Sequence, residues 1–349
     1  MSSVVSTTPG VTPGPVPLSR VWSRGRVIAE DLTGEDLSDV LQHNEDASAW
    51  WVLPRDRDYG AAELRGVAAH LDLDDLALRD LLAEDRRAKF EAVGGARLVV
   101  TNYVTHDPDR LEVEVHPISI IATDRALICL VDEAGFSPGR MLQSRAHDLA
   151  EGGVELGLRL LVLEIIKTYE DAARWLESAS DQLSEALFAD GGGTLGKDDQ
   201  LDAFKLRRAL THLRRSTEPM RGVMTDLLDE PVPTTKGGKR PHGTSTARHW
   251  RVLSERHTRV ANAADALREV LTSVFDTSLA LADVRMNTIM KKLTAWAAII
   301  AVPTLITGFA GMNVAFPLDG TTAGFWVALV VLVLSSLVLY MAFRRRDWL

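Results

Sequence analysis

Two long apolar runs near the C-terminal end constrain the fold of this chain more than any other feature. The first extends from Leu293 to about Met312 and the second from Phe325 to Phe343, and neither contains a charged residue. Each is close to the roughly 20 residues with which a helix crosses about 30 Å of hydrocarbon. A buried hairpin in a large soluble core is the alternative, but uncharged runs this long are uncommon in soluble proteins. The sequence therefore predicts two transmembrane helices.

Cationic residues flank the two runs on one side of the predicted membrane. They are Lys291 and Lys292 before the first run and Arg344, Arg345 and Arg346 after the second. The connecting loop, residues 313–324, contains no Lys or Arg and a single acid. Because cationic flanks remain on the cytoplasmic side, we expect both termini in the cytoplasm. The same residues can also anchor the helices to lipid headgroups.

One face of the first run and the turns before it carries small, hydroxyl-bearing or flexible side chains. Alternating steps of three and four residues connect Asn287, Met290, Thr294, Ala297, Ala301, Thr304, Gly308 and Gly311. Close helix packing is one interpretation, since small residues favour it. A pore is the other, because small side chains leave a lumen and hydroxyl and carbonyl oxygens can face hydrated ions. Pro303, within the run, removes a backbone donor and can bend the helix.

Composition excludes several classes of function. The chain has 349 residues and a formal net charge of −9, which argues against a nucleic-acid partner. With one cysteine, Cys129, neither a disulfide framework nor a Cys/His zinc site is expected. No nucleophile–base set, phosphate-binding loop or cluster of histidines is evident, so the sequence does not predict an enzyme.

The part before the membrane divides into a mixed region and a helical region. Residues 1–17 have the composition of a disordered tail. Strand-like runs at 96–104, 111–123 and 125–133 are rich in β-branched residues. Between Asp36 and Arg87 the pattern is helical, with Ser38 and Asp72 as plausible caps. We expect a sheet with helices on its flanks.

From about Gln143 the pattern is helical. Segments run to Phe188, from Asp199 to about Leu228, and from about Thr244 without a breaker until Pro303. The predicted fold is an α+β membrane protein. Its parts are a cytoplasmic α/β domain at 18–142, a long-helix stalk at 143–290 and a transmembrane domain at 291–349, with spans at about 293–312 and 325–343.

The last long helix carries a seven-residue apolar repeat. Its members are Leu253, Val260, Leu267, Val274 and Leu281. Such a repeat is typical of helices that pack side by side in a supercoil. An ordinary amphipathic helix packed within its own subunit gives the same pattern, and periodicity alone leaves both interpretations open.

Gly311-Met312-Asn313 ends the first apolar run and precedes a short loop, one more span and a basic C-terminus. With NTIMKKLT at 287–294, DLALRDLL at 75–82 and RAKFE at 87–91, this arrangement resembles the CorA family of magnesium transporters, from about residue 20 to the end. The resemblance implies a funnel-shaped homopentamer in the plasma membrane, with long helices around the axis. It implies conduction of hydrated Mg²⁺, with Co²⁺ or Ni²⁺ as lesser substrates.

The resemblance also implies roles for individual residues. Gly311, Met312 and Asn313 would form the selectivity filter, where a ring of Asn313 amides accepts hydrogen bonds from the waters around Mg²⁺. Asn313 as a helix C-cap is the alternative. The residues expected to line the pore are Asn287, Met290, Leu293, Thr294, Ala297, Ala301, Thr304 and Gly308, with Asn287 as a polar ring and Met290 and Leu293 as constrictions. The five cations that flank the spans would form a basic collar at the cytoplasmic mouth.

Regulation by internal Mg²⁺ is a further implication of the resemblance. Asp276 and Asp80 fall where the family has a pair of carboxylates that bind regulatory Mg²⁺ across a subunit boundary. Two facing carboxylates repel unless a cation lies between them. Two solvated acids on separate faces are the alternative. The resemblance therefore implies that Mg²⁺ is both the substrate and the regulator.

Two departures from the family pattern leave the transported ion open. Ala310 stands where relatives often have Tyr, and residues 314–319 replace an acidic Met-Pro-Glu loop. That loop resembles the ZntB branch, whose members move zinc, so a ZntB-like zinc transporter is the nearest alternative. Compared with some relatives, this sequence has one extra residue between Leu293 and Pro303. It is therefore open which of the predicted lining residues in this stretch face the pore. A membrane-anchored scaffold or receptor is a remote alternative.

Overall fold

The computed structural model describes residues 18–55, 59–68, 78, 88–93, 95–131, 137–189, 196–230, 243–312 and 321–349. By compactness the chain forms two units. The first unit comprises Met1–Leu183 and Gln200–Leu271, and the second comprises Ser184–Asp199 and Thr272–Leu349. The domain boundaries predicted at residues 142 and 290 come from composition. The two units are instead defined by packing, and the helices that cover the sheet therefore belong to the same unit as the sheet.

The first unit contains a seven-stranded sheet among its described residues. The strands are β1 (Leu18–Ser23), β2 (Arg26–Glu30), β3 (Ala47–Pro54), β4 (Lys89–Val93), β5 (Ala96–Asp107), β6 (Glu112–Ala122) and β7 (Ala126–Val131). Their order is β2-β1-β3-β7-β6-β5-β4. Neighbouring strands are antiparallel except β3 and β7, which are parallel. The parallel pair lies in the middle of the sheet, where both faces are covered.

The described helices are α1 (Gly34–His43), α2 (Tyr59–Ala68), α3 (Pro138–Ser144), α4 (Ala146–Ala189), α5 (Lys197–Asp229), α6 (Gly243–Ala310) and α7 (Thr322–Arg345). Gly153 interrupts α4 with φ 62° and ψ −160°, a backbone conformation that favours glycine. Helix α6 has 68 residues and continues through Pro303. The strand-like runs and the three helical segments predicted from the sequence are therefore present, with shifted ends.

Alternating side chains of the strands supply two separate cores. Leu98, Val100 and Ile128 face one side of the sheet and pack with Leu37 of α1 and Leu64 of α2 in one buried cluster. Residues of the opposite parity, such as Val99, Leu127 and Cys129, are also buried. Because successive side chains of a strand point to opposite faces, these form the second core. The arrangement is a helix–sheet–helix sandwich.

Helices α4 and α5 cover the second face through specific contacts. The indole of Trp22 donates to the Leu149 carbonyl at 3.1 Å, and Arg97 binds Glu155 at 2.6 Å. The Tyr169 hydroxyl donates to the carbonyl of Asn102 in β5. Burial raises the pKa of Tyr169 far above its usual value, so this hydroxyl remains a donor.

The N-terminal part of α6 completes this helical layer. Arg256 makes a bidentate pair with Glu170 of α4, and the His257 imidazole is 2.9 Å from the Thr217 carbonyl of α5. Trp250 donates to Glu155 at 3.0 Å. All of these contacts lie within the first unit, so they hold α4, α5 and the start of α6 against the sheet.

The helical pattern predicted between Asp36 and Arg87 is wrong for Ala47–Pro54, which is β3. A central strand buried on both faces has a continuous apolar run, which periodicity cannot distinguish from a buried helix. The cap of α1 is Thr33, whose side chain accepts a hydrogen bond from the Asp36 amide. Ser38 instead lies buried within α1, and Asp72 lies outside the described residues.

The seven-residue repeat of α6 is already covered by its own chain. Leu253, Val260 and Leu267 have 6 %, 5 % and 8 % of their surface exposed within the single chain, and Val274 is also buried. Almost no surface of these side chains remains for another copy. The interpretation of this part of the repeat as a contact between subunits is therefore wrong, and the ordinary amphipathic interpretation is correct.

Candidate functional site

Two described helices are long and apolar enough to cross a membrane, and neither is buried within the chain. The most apolar 18-residue window is 6 % buried in α6 and 0 % buried in α7. Leu305, Phe325 and Trp326 have 73 %, 64 % and 62 % of their surface exposed. A hairpin in a soluble core would bury these side chains. The exposure contradicts that alternative and leaves lipid or further copies of the chain to cover them.

The ends of α7 agree with a membrane span. The Thr321 hydroxyl caps its start by accepting from the Gly324 amide at 3.1 Å. At its other end Trp348 stacks on Phe343, with ring centroids 5.6 Å apart. Its 24 residues extend for about 36 Å at 1.5 Å per residue. Trp326 and Trp348 thus lie near opposite ends, where aromatic residues favour the membrane–water interfaces.

Partial burial marks one side of each apolar helix. In α6 this side begins with Ala295, which is fully buried, and its half-buried members are residues 298, 299, 302, 303, 306 and 310. In α7 the half-buried members are residues 324, 328, 332, 335, 336, 339 and 343. Spacings of three and four residues place each set on one helix face. Both helices belong to the second unit, and the pattern indicates that they pack on each other along these faces.

The predicted pore stripe lies on the other side of α6. Its members are Asn287, Met290, Leu293, Thr294, Ala297, Ala301, Thr304 and Gly308, and all are exposed. At 100° per residue their mean direction is turned by roughly 160° from the partly buried face of α6. The second span of the same chain therefore leaves the stripe free. Other copies of the chain can approach it, which the sequence pattern alone did not establish.

The hydroxyl groups of this region donate to the helix itself. Thr304 donates to the Ile300 carbonyl at 2.8 Å, and Thr307 donates to the Thr304 carbonyl at 3.0 Å. The hydrogen of each hydroxyl is thereby used, and the oxygen lone pairs remain as acceptors. Along the stripe Thr304 consequently offers an acceptor without a charge. Such a group suits the outward-pointing hydrogens of the waters around a cation.

The backbone around the proposed filter is helical up to its first two residues. The Gly311 amide donates to the Thr307 carbonyl at 3.0 Å, and the Met312 amide donates to the Phe309 carbonyl at 3.2 Å. A Cβ atom at Gly311 would come within 3.3 Å of the Thr307 carbonyl oxygen, so the position is sterically tight. Met312 is exposed. Asn313 lies outside the described residues.

The five cations of the predicted collar are all exposed, in the second unit. Arg344 and Arg345 lie in the last turn of α7, where a positive charge also favours the negative end of the helix dipole. Asp276 is exposed on α6, while Asp80 lies outside the described residues. Within the described ranges no group of three or more His, Cys, Asp or Glu side chains could hold a metal ion.

Two features were missed in the sequence analysis. Ser335 and Ser336 are adjacent hydroxyl residues on the partly buried face of α7. Two neighbouring serines in an apolar run are a signal that the sequence offers. His257 is fully buried, and no partner of its Nδ1 atom is present in the described part of the chain. Burial lowers the pKa of His257, so the neutral imidazole is favoured. No local sequence signal distinguishes His257 from the other histidines.

Comparison with known proteins gives one family. The model of the family described as CorA-like Mg2+ transporter protein matches residues 56–345. The cobalt/magnesium transport protein CorA of Methanocaldococcus jannaschii is 30 % identical over 202 residues. That alignment covers 57 % of this chain and 60 % of the relative, which is less than two thirds of the relative's length.

Solved structures show the same fold. The complete structure of the CorA magnesium transporter from Methanocaldococcus jannaschii matches with a TM-score of 0.73 at 21 % identity, over 97 % of this chain and 100 % of that chain. The ZntB cytoplasmic domain from Vibrio parahaemolyticus matches with a TM-score of 0.51 at 12 % identity, over 68 % of this chain and 88 % of that chain. The similarity to proteins of both names is one of fold and does not select an ion.

Proposed function

This chain belongs to the CorA-like Mg²⁺ transporter family, and from that premise we propose that it forms a homopentameric pore for hydrated Mg²⁺ in the plasma membrane. Co²⁺ and Ni²⁺ would be lesser substrates. The observation that carries this proposal is the exposed stripe on α6, which faces away from the chain's own second span. A single helical hairpin cannot enclose a lumen. Several copies around one axis can, and the number five comes from the family resemblance.

The stripe has the chemistry that passage of a hydrated ion requires. Mg²⁺ gives up its waters reluctantly, so uncharged acceptors that bind those waters serve it better than a dehydrating cage. The Thr304 oxygen is one such acceptor, and a ring of Asn313 amides would be another. Because these groups carry no charge, the ion is also able to leave, as conduction requires.

Apolar side chains on the stripe supply the closed state in this proposal. Met290 and Leu293 are exposed by 52 % and 63 % in the single chain. Around a shared axis their side chains would meet and exclude water, which is how a hydrophobic constriction blocks ions. The neighbouring Asn287 would form a polar ring. In this proposal this end and both termini lie in the cytoplasm, and the cations beside both spans support that orientation.

Regulation by cytoplasmic Mg²⁺ is proposed for the carboxylates of Asp80 and Asp276. A cation between two carboxylates of adjacent subunits would offset their repulsion and hold a closed state. Asp276 is exposed on α6 and therefore available to a neighbouring copy.

A zinc transporter of the ZntB type is the second candidate. The sequence of the loop at 314–319 favours it, because this loop differs from the acidic Met-Pro-Glu loop expected of a magnesium transporter and its one acid is Asp319. The fold similarity to the ZntB cytoplasmic domain is compatible with either ion.

Uptake by the purified protein in liposomes distinguishes these candidates. We would measure Mg²⁺, Co²⁺, Ni²⁺ and Zn²⁺ uptake with and without a proton gradient, and native mass spectrometry would give the number of copies. The proposal predicts a pentamer and Mg²⁺ uptake that needs no proton gradient. Zinc uptake without magnesium uptake would favour the second candidate, and a monomer or dimer as the only species would remove the pore.

A matched pair of variants tests the stripe within the same experiment. Ala301→Phe should block uptake, because a bulky ring would fill a narrow lumen. Val330→Phe adds a ring on the exposed side of α7, which is 59 % exposed and turned away from α6. It should leave uptake unchanged. Equal uptake by the two variants would contradict the assignment of the stripe to the lumen.

A further inference from the structure

The two apolar helices have an uneven distribution of hydrogen-bond donors and acceptors. Helix α6 continues through Pro303, which has no backbone N–H. The helix therefore supplies no i−4 donor to the carbonyl of Ile299. In hydrocarbon an unsatisfied backbone carbonyl is costly, because no water replaces the missing partner.

Helix α7 has the opposite imbalance at the Leu332 carbonyl. The hydroxyls of Ser335 and Ser336 both donate to this oxygen, each at 2.9 Å. The helical bond from the Ser336 amide adds a third donor. A carbonyl oxygen has two lone pairs, so one serine hydroxyl is in excess at Leu332.

These two sites lie on the partly buried sides of their helices at similar depths. Ile299 and Pro303 lie on the half-buried side of α6, and both serines lie on the half-buried side of α7. At 1.5 Å per residue, Ile299 is about 16 Å from the loop end of α6 and Ser335 about 20 Å from the loop end of α7. The Ile299 carbonyl points towards the loop, and serine side chains on α7 tilt towards it as well.

We propose that Ser335 and Ser336 are positioning residues for α6: one hydroxyl turns from the Leu332 carbonyl to the Ile299 carbonyl when α6 bends at Pro303. The bend opens the helix on the side of the missing hydrogen bond, and the transferred hydroxyl stabilises that opening. Leu332 keeps two donors, so the transfer leaves no carbonyl without a partner. The inference rests on the proposed function only in that α6 lines the pore.

Hydrogen exchange in a mutant cycle tests this mechanism without measuring transport. The full-length oligomer in lipid nanodiscs would be compared as wild type, S335A/S336A, P303A and the triple variant. In wild type, loss of both hydroxyls should make the bent state rarer and slow amide exchange in 299–308 about threefold, as expected for one interhelical hydrogen bond in a membrane. In the P303A background the i−4 donor is restored. The serine changes should then have no effect on exchange.

Two further variants keep the result interpretable. S335T/S336T retains both hydroxyls and should behave as wild type, and this comparison stands even where P303A does not assemble. Thr307→Val removes a hydroxyl that donates within α6 and should change exchange equally in both backgrounds. Equal effects of S335A/S336A in both backgrounds, or threonine variants that behave like alanine variants, would overturn the proposal. If the effect of S335A/S336A depends on Pro303 as predicted but the protein transports no ion, the proposed function is refuted and this inference still stands.

Discussion

Replacement of Glu155 by alanine is expected to cause a large loss of stability in the first unit. Its carboxylate binds the Arg97 guanidinium at 2.6 Å and accepts the Trp250 indole N–H at 3.0 Å. These contacts join β5, α4 and α6. The side chains of Arg97 and Glu155 are only 10 % and 22 % exposed. Glu155→Ala would therefore leave a guanidinium buried without its partner.

The expected magnitude follows from this burial. Removal of one partner from a buried ion pair costs about 3–5 kcal/mol when the remaining charge is uncompensated. Glu230 also lies near Arg97, so we expect the lower end of this range for Glu155→Ala. For a unit of roughly 250 residues each kcal/mol lowers the thermal midpoint by about 2–4 °C. We expect a fall on the order of 10 °C in the full-length protein, measured by intrinsic tryptophan fluorescence in detergent.

Two controls identify the cause of that fall. Arg97→Met combined with Glu155→Leu removes both charges and should recover most of the loss, since apolar replacement of a buried pair is often neutral. Asp171→Ala breaks the pair with Arg174 in the same helix α4, whose side chains are 54 % and 74 % exposed. It should cost at most about 1 kcal/mol. A shift for Glu155→Ala no larger than for Asp171→Ala would refute the reasoning.

Three other predictions test separate parts of the structure. Burial lowers the pKa of His257 and Arg221 lowers it further, while the Thr217 carbonyl and Glu218 oppose this shift. As the pH falls, the unfolded chain therefore binds a proton at this histidine before the folded chain does. The free energy of unfolding should consequently fall as the pH decreases below about 6.5. His257→Gln should weaken that dependence of the thermal midpoint, whereas His147→Gln, at a side chain 87 % exposed, should not. Gly157→Ala would place its Cβ atom 2.5 Å from a methyl group of the buried Leu127 and should lower the free energy of unfolding by about 1–3 kcal/mol. At Gly222 an added Cβ would meet no atom within 4 Å, so Gly222→Ala should raise the free energy of unfolding by about 0.5–1 kcal/mol in the same thermal assay. Mg²⁺ should protect the soluble part of the wild-type protein from protease. The Asp276→Lys variant should be protected without Mg²⁺, because its ammonium group would replace the cation. If both proteins show the same Mg²⁺ dependence, Asp276 is not the sensor.

The membrane part was predictable because its signal is local. The length of an uncharged run predicts a span, and α7 (Thr322–Arg345) confirms the second of these runs within a few residues. The strands β5, β6 and β7 were predicted for the same reason, since β-branched residues and turn signals lie within each segment. The strand β3 was missed because burial on both faces removes the alternation that identifies a strand.

Features that depend on long-range packing were not predictable. Arg97 and Glu155 are 58 residues apart in sequence, and nothing in either segment indicates that they form a pair. The same holds for the repeat of α6, where burial of Leu253 and Val260 in the chain's own layer decided between two patterns with identical periodicity. The face of α6 that α7 covers likewise became visible only when both helices were placed.

Mg²⁺ uptake by Asn313→Ala in proteoliposomes is the most direct test of the central claim that this chain forms a selective Mg²⁺ pore. The change removes the amide that would bind the ion's waters at the end of the stripe and removes little packing. We predict that uptake is abolished while native mass spectrometry still shows the intact pentamer. Near-normal Mg²⁺ uptake by Asn313→Ala, in an oligomer that matches wild type, would contradict the claim.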